Sequence, residues 1–265
     1  MFKKPETALK SSTWNSLRRG RRNALILLSA WGTQLGATEV TPKRAKDFVL
    51  RIATMDLEPY GAIDSAGKGY GMLFDYCQEL GRRTGIPFTN TVLPFQRMLV
   101  ELQAGRVDIA SSQPHKAALD AGEKLAFAFR VNVIIPTKKG SPIRSVEELG
   151  GRTLVLHQGA SYPQLDNIPL SIVRVNSYEQ ALEMVTARPD VFGTVITEPA
   201  YKYYLHKLKM KAADFSEPLL LESREQWNFV RSGLPSDIKD ILVKCTKQLE
   251  KENYIDKMIE KYSRS

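Results

Sequence analysis

The stretch Ser145–Ser161, SVEELGGRTLVLHQGAS, decides how this chain is read. Val146 and Leu149 give a short amphipathic helix that stops at Gly150-Gly151, the flexible backbone a helix end needs. Thr153 to Leu156 is a short apolar run of the kind that forms a strand buried on both faces. It hands Gly159, Ala160 and Ser161 to a second expected helix start, with Pro163 in its first turn. Small residues delivered by a strand to a helix N-terminus present free backbone N–H groups and a hydroxyl. Such groups suit a carboxylate or another anionic part of a small ligand. The segment predicts one wall of a binding site.

On both sides of it, strands and helices alternate. Strands are expected at 48–54, 87–92, 107–110, 131–136, 171–175, 191–196, 219–221 and 227–230. Helices are expected at 72–83, 95–103, 178–186, 200–208, 236–250 and 254–262, each with apolar residues at helical spacing. This alternation predicts an α/β fold of mostly parallel sheets covered by helices. There is no short-period repeat and no low-complexity segment, which excludes a solenoid.

The first 37 residues read as an export signal. Lys3, Lys4, Lys10, Arg18, Arg19, Arg21 and Arg22 precede the apolar run Ala24–Trp31, and small residues follow at Gly36-Ala37. A mature N-terminus near Thr38 and a periplasmic location are expected, with an uncleaved anchor as the alternative. The whole chain carries 38 Lys and Arg against 29 Asp and Glu, a net +9. Seven of those bases and one acid lie in residues 1–37, so the remainder carries only about +3. No basic stripe with interleaved aromatics is present, so no nucleic-acid partner is expected. His115, His157 and His206 lack metal-ligand spacing, and no cofactor or metal motif occurs. Cys77 and Cys245 could bridge in an oxidising compartment. Each also falls on the apolar face of an expected helix, where a buried free thiol is favoured.

The blocks LRIATMDLEPYGAID (50–64), KGYGMLFDYCQELGRRTG (68–85) and FQRMLVELQAGRVDIA (95–110) resemble the first lobe of the bacterial extracellular solute-binding proteins of family 3. SVEELGGRTLVLHQGAS and NSYEQALEMVTARPDVFGTVITEPAYKYYL (176–205) resemble the second lobe. GLPSDIKDILVKCTKQLEKENYIDKMIEKYS resembles the family's closing helices. The resemblance implies a two-lobed, type II periplasmic-binding-protein-like fold with a ligand cleft between lobes joined by two crossover segments. It implies a discontinuous first lobe (47–130 with 205–265) and a second lobe over 138–198. It further implies a monomeric periplasmic receptor that takes a small, amino-acid-like polar metabolite to an ABC transporter permease in the inner membrane.

The site residues implied by this resemblance are Tyr60, Phe95, Ser111, Ser112, Lys116, Gly159, Ala160, Ser161 and Glu198. Tyr60 and Phe95 occupy positions of ligand-contacting aromatics, although Phe95 would also suit a helix-to-sheet core contact. Gly159, Ala160 and Ser161 match a carboxylate-binding loop. Glu198 matches an acid that pairs with an ammonium, or it simply favours the start of the helix at Pro199. One departure stands out. Where the family carries Thr-x-x-Arg, this chain has Ser111-Ser112-Gln113-Pro114-His115-Lys116 and no arginine before Arg130. Lys116, with His115 and Lys124 as competitors, is the nearest cation, and a lysine cannot make the planar fork of an arginine. Two other functions remain: a periplasmic enzyme resembling the family's cyclohexadienyl dehydratases, with Glu198, His157 or His115 as its acid, and a signalling sensor lobe.

Overall fold

The computed structural model describes residues 48–264, so the expected export signal lies outside the described residues. The strands are β1 (Leu50–Met55), β2 (Ala62–Ile63), β3 (Gly69–Tyr70), β4 (Phe88–Leu93), β5 (Ile109–Ser112), β6 (Glu123–Ile135), β7 (Thr153–His157), β8 (Ser171–Val175), β9 (Gly193–Thr194), β10 (Ile196–Thr197) and β11 (Leu219–Val230). The helices are α1 (Met72–Thr84), α2 (Phe95–Gln103), α3 (Lys116–Ala121), α4 (Tyr178–Ala187), α5 (Glu198–Lys207), α6 (Ser236–Lys251) and α7 (Tyr254–Ser263). None of the described helices is long and apolar enough to cross a membrane.

Two main sheets carry the fold. The larger has the order β10-β6-β11-β5-β1-β4, and the smaller has the order β8-β7-β9. The smaller is parallel throughout, as expected. The larger is mixed: β4, β1 and β5 run parallel, but β11 pairs antiparallel with both β5 and β6, and β10 antiparallel with β6. The sequence expectation of mostly parallel sheets is corrected there. β6 and β11 are also far longer than expected, at 13 and 12 residues. Their middles are obscured in the sequence by outward-facing Arg130 and Asn132 on β6. On β11 the charged run Glu222-Ser223-Arg224-Glu225 has the same effect, and bulges absorb its irregular alternation.

The expected strand 191–196 is in fact two strands. Gly193–Thr194 joins β7 in the small sheet, and after Val195 the chain pairs with β6 in the large sheet through Ile196 and Thr197. The end of β6 passes beside this crossing, where Thr137 bridges to Gly193. A side chain on Gly193 would meet the Pro136 carbonyl oxygen at 2.9 Å, so the two crossing segments touch backbone to backbone. The helix expected at Pro163 is only a 3-10 turn, Pro163–Leu165. Tyr162 and Leu165 are buried there, and Pro169 biases Ile168 away from helical backbone, so the turn cannot propagate. One helix, α3, has no strong sequence signal. His115 caps it, its Nδ1 accepting from the Ala118 N–H at 3.2 Å.

Helix α1 anchors the site's first loop. It buries Leu73, Tyr76, Cys77 and Leu80 against the large sheet, the face expected from their spacing. No side chain caps its start. Instead the Met72 N–H donates to the Pro59 carbonyl, and the Leu73 and Phe74 N–H groups donate to that of Tyr60, at 2.9–3.0 Å. Tyr60 is thereby tied to a rigid helix end. Cys77 and Cys245 are both buried free thiols, and burial pushes the Cys77 thiol up to about 12, which leaves it protonated and inert.

Candidate functional site

Tyr60 leaves β1 through a tight loop and is buried. Its hydroxyl donates to Thr197 Oγ1 at 2.5 Å, joining the loop after β1 to the end of β10. Tyr162 and Tyr178, both buried, lie in the same neighbourhood. Burial raises all three phenols above their ordinary range, and the Tyr162 phenol adds to the rise at Tyr60 and Tyr178. The charge of Arg224 pulls Tyr162 and Tyr178 partly back. All three are neutral hydroxyls at physiological pH, able to donate and accept.

Arg224, on β11, was missed by the sequence reading. Its Nη1 donates to Gln113 Oε1 at 3.0 Å and its Nη2 to the Ser161 carbonyl at 2.9 Å. Its guanidinium carbon lies 4.7 Å from the centre of the Tyr162 ring. Glu222, two residues earlier on the same strand face, holds the guanidinium through an ion pair and accepts from Gln164 Nε2 at 2.8 Å. One arginine therefore joins the loop after β5 to the loop after β7. The signal that could have found it is the opposite-charge i, i+2 pair Glu222 and Arg224, flanked by the apolar run Leu219–Leu221 and the aromatics Trp227 and Phe229.

Ser111 and Ser112, at the end of β5, are almost fully buried. Their hydroxyls donate to the carbonyls of Trp227 (3.4 Å) and Gln113 (3.2 Å). Phe95 opens α2, half-buried. It packs on the cluster of Met98, Leu99, Leu102 and Phe229 and meets the His115 ring edge-on at 5.4 Å. The core contact is therefore realised at this residue, and its ring stays partly exposed. Partial burial, then the charge of Arg224, holds the His115 imidazole below its usual range, so it is neutral near pH 7. Lys116 stands apart from this group: its side chain is 88% exposed and pairs with Asp120 one turn along α3 at 2.7 Å.

In the loop after β7, Gly159 takes a left-handed backbone (φ 78°), which turns the chain sharply. Two of this loop's carbonyls and one of its N–H groups already have partners. Ala160 O accepts from Arg174 Nη1 at 2.6 Å, Ser161 O accepts from Arg224, and the Ala160 N–H is used by the His157 carbonyl. No α-helix follows, so no helix dipole adds to the loop's pull on an anion.

Glu198 is the first residue of α5. Lys202, one turn along, contacts its Oε1 at 2.6 Å, and Asn132 Nδ2 donates to its Oε2 at 3.0 Å. These two partners, Lys202 above all, hold its carboxyl below the usual carboxylate range against the opposing effect of burial. In the β6–β11 pairing, Val131 faces Arg224 and Asn132 faces Ser223. Successive residues of a strand point to opposite faces. Asn132, and the Glu198 carboxylate it binds, thus belong to the face opposite Arg224. The neighbour of Glu198, Thr197, is the residue that meets Tyr60.

The family model of the bacterial extracellular solute-binding proteins, family 3, matches residues 50–265. The chain belongs to that family. Its α/β fold is the two-lobed one of periplasmic binding proteins, the lobes joined where β6 and the β9–β10 segment cross. No curated protein matches the sequence. Among solved structures, the substrate binding protein of an amino acid ABC transporter superposes with a TM-score of 0.62 at 17% identity, covering 82% of this chain and 100% of its own. An ancestral amino-acid-binding protein described as a precursor of cyclohexadienyl dehydratase gives 0.61 at 19% identity, over 81% and 95%. A histidine kinase sensor domain with similarity to periplasmic binding proteins gives 0.64 at 17%, over 83% and 97%. At these identities the likeness is one of fold.

Proposed function

We propose that this family member is a receptor that holds a small, polar, amino-acid-like metabolite between its lobes and delivers it to an ABC transporter permease. The lobes are taken as 47–130 with 205–265 and 138–198, the protein as a monomer exported to the periplasm. The observation that carries the reading is the convergence of polar side chains from four separate places. Tyr60 follows β1, Gln113 follows β5, Arg224 stands on β11, and Ser161 with Tyr162 follows β7. Arg224 joins the Gln113 side chain to the Ser161 carbonyl and lies over the Tyr162 ring, and Tyr60, bonded to Thr197, lies within electrostatic reach of Tyr162. Small-molecule sites are built in this way, with a few convergent polar groups among aromatic rings at a junction of structural units.

The contacts of the three candidate acids support binding over catalysis. His115 is a helix cap, Glu198 is held by Lys202 and Asn132, and His157 Nε2 lies 3.1 Å from the Asn176 carbonyl. Each is therefore engaged in a contact of the fold itself: the two histidines with backbone groups, and Glu198 with a lysine on its own helix. The test is a thermal-shift screen of the full chain against amino acids, amines, sugars and small carboxylates. A solute bound only by the folded state raises the melting temperature with the logarithm of its concentration above Kd. A rise that grows logarithmically with solute concentration, with no turnover of the solute, is expected. Consumption of the solute would favour the enzyme.

A further inference from the structure

We propose that Arg224, from strand β11, is the residue that takes the anionic group of the solute, and that the site selects small carboxylates whose other substituents are hydroxyl or neutral polar groups. This rests on the solute-binding reading and identifies the chemistry of that same site.

The cations in the segment after β5 are turned to other uses. Lys116 is exposed and paired with Asp120. Lys124 lies over the face of Trp227, 3.9 Å from its centre. Arg130 is 61% exposed and pairs with Glu225. Arg224 is only 23% exposed, and it alone among these reaches both the loop after β5 and the loop after β7.

Its bonding pattern is that of a fork awaiting an anion. Glu222 Oε1 engages Nε and one side of Nη2, which fixes the plane of the guanidinium. The outer donors of Nη1 and Nη2 go to two neutral acceptors, the Gln113 amide oxygen and the Ser161 carbonyl oxygen. A carboxylate that replaces both makes two parallel hydrogen bonds in which donor and acceptor are both charged, in place of two in which only the guanidinium is. The released Gln113 amide and Ser161 backbone then face the same ligand. The Tyr162 ring beneath the guanidinium excludes water from one side.

The far end of the group sets what else the solute carries. Tyr60, Tyr162, Tyr178 and Thr197 offer hydroxyls there. The carboxylate of Glu198 belongs to the opposite face of the β6–β11 ribbon with Asn132 and Lys202. Glu222 is already occupied by Arg224 and Gln164. An α-ammonium therefore finds hydroxyl acceptors and no dedicated acid, and it contributes little to binding.

The experiment is calorimetric titration of the full chain with matched sets: alanine, lactate and alaninamide; leucine, 2-hydroxyisocaproate and leucinamide; phenylalanine, phenyllactate and phenylalaninamide. Each is repeated with Arg224→Gln and Arg224→Lys, whose melting curves are recorded alongside. Within the set that fits, the 2-hydroxy acid is expected to bind as tightly as the amino acid, and the amide, which lacks the carboxylate, at least about tenfold more weakly. Arg224→Gln should weaken acid binding by about tenfold or more. Arg224→Lys, which keeps the charge without the fork, should recover part of the loss. If Arg224→Gln fails to fold, Arg224→Lys alone decides, since a loss of severalfold in affinity at unchanged stability still reports the fork. The inference is overturned if an acid binds the folded Arg224→Gln, or Arg224→Lys where only that variant folds, as tightly as wild type. It is equally overturned if amides or amines bind better than acids; in both cases the receptor reading stands. If no solute of any class in the wider screen binds the wild type, the receptor reading falls and this inference with it.

Discussion

Gly71→Ala is expected to destabilise the protein by about 3–5 kcal/mol, a fall in melting temperature of roughly 10 °C or more. Gly71 has φ 125°, a backbone region essentially closed to other residues. An added Cβ would lie 2.5 Å from the Tyr60 carbonyl oxygen and 2.7 Å from its carbonyl carbon. Both are backbone atoms of the turn that satisfies the first N–H groups of α1, so neither can swing aside as a side-chain tip would. The Gly71 N–H is itself bound by the Tyr262 hydroxyl at 2.9 Å, which ties the same point to α7. Relief of the clash must move Tyr60, so the Tyr60–Thr197 bond should weaken with the fold. Urea melts of the variant check the magnitude; a loss below about 1 kcal/mol would mean the loop is more pliant than its contacts indicate.

Asp108→Ala should cost about as much, roughly 3–5 kcal/mol, because it strands two arginines built around one buried carboxylate. The Asp108 side chain is 0% exposed. It accepts from the backbone N–H of Arg51 at 2.9 Å, from Arg51 Nε and Nη2 at 2.8 Å each, and from Arg231 Nε at 2.7 Å. Arg51 is the second residue of β1, Asp108 precedes β5 and Arg231 follows β11, so one acid fastens three neighbouring strands of the large sheet. Burial alone would raise its pKa, but the hydrogen bonds from Arg51 and Arg231 outweigh burial and hold it below the ordinary carboxylate range. The sign follows directly. With the folded value depressed, the contribution is fully present above the unfolded value of about 4 and is lost as pH falls through the lower folded value. The gap in stability between wild type and Asp108→Ala should therefore be widest near neutrality and narrow below about pH 4. Chemical denaturation at pH 7 and at acid pH measures both; a gap that widens on acidification would contradict the assignment.

How legible the molecule was in its sequence depended on whether apolar spacing or tertiary pairing set each element. Helices α1, α2, α4, α6 and α7 follow their apolar stripes almost to the residue, because each packs one continuous face, the first four on a sheet and α7 on neighbouring helices. Strands β1, β4, β7 and β8 are equally plain. The long β6–β11 pair is not, since its charged middle is stabilised by cross-strand partners that no local pattern encodes. The split at Val195 is invisible for the same reason: Gly193–Ile196 is one apolar run, and only the two sheets decide where it changes partners. At the candidate site, Tyr60, Ser112 and Ser161 were proposed from their neighbours in sequence. Arg224 was hidden in a strand that looked like a charged loop. Glu198 was read one residue away from Thr197, the residue that meets Tyr60.

The central claim is that a solute binds between the β7 loop and the β5–β11 wall. The most direct measurement is a calorimetric titration of the tightest solute from the thermal-shift screen into the full chain and into Ser161→Trp. Ser161 is exposed and its carbonyl accepts from Arg224, so a large side chain at this position is expected to crowd the solute while leaving the core untouched. The account predicts one solute per wild-type chain and a loss of affinity of about tenfold or more in a Ser161→Trp protein that melts like wild type. Unchanged affinity in that variant would place the solute elsewhere and contradict the account.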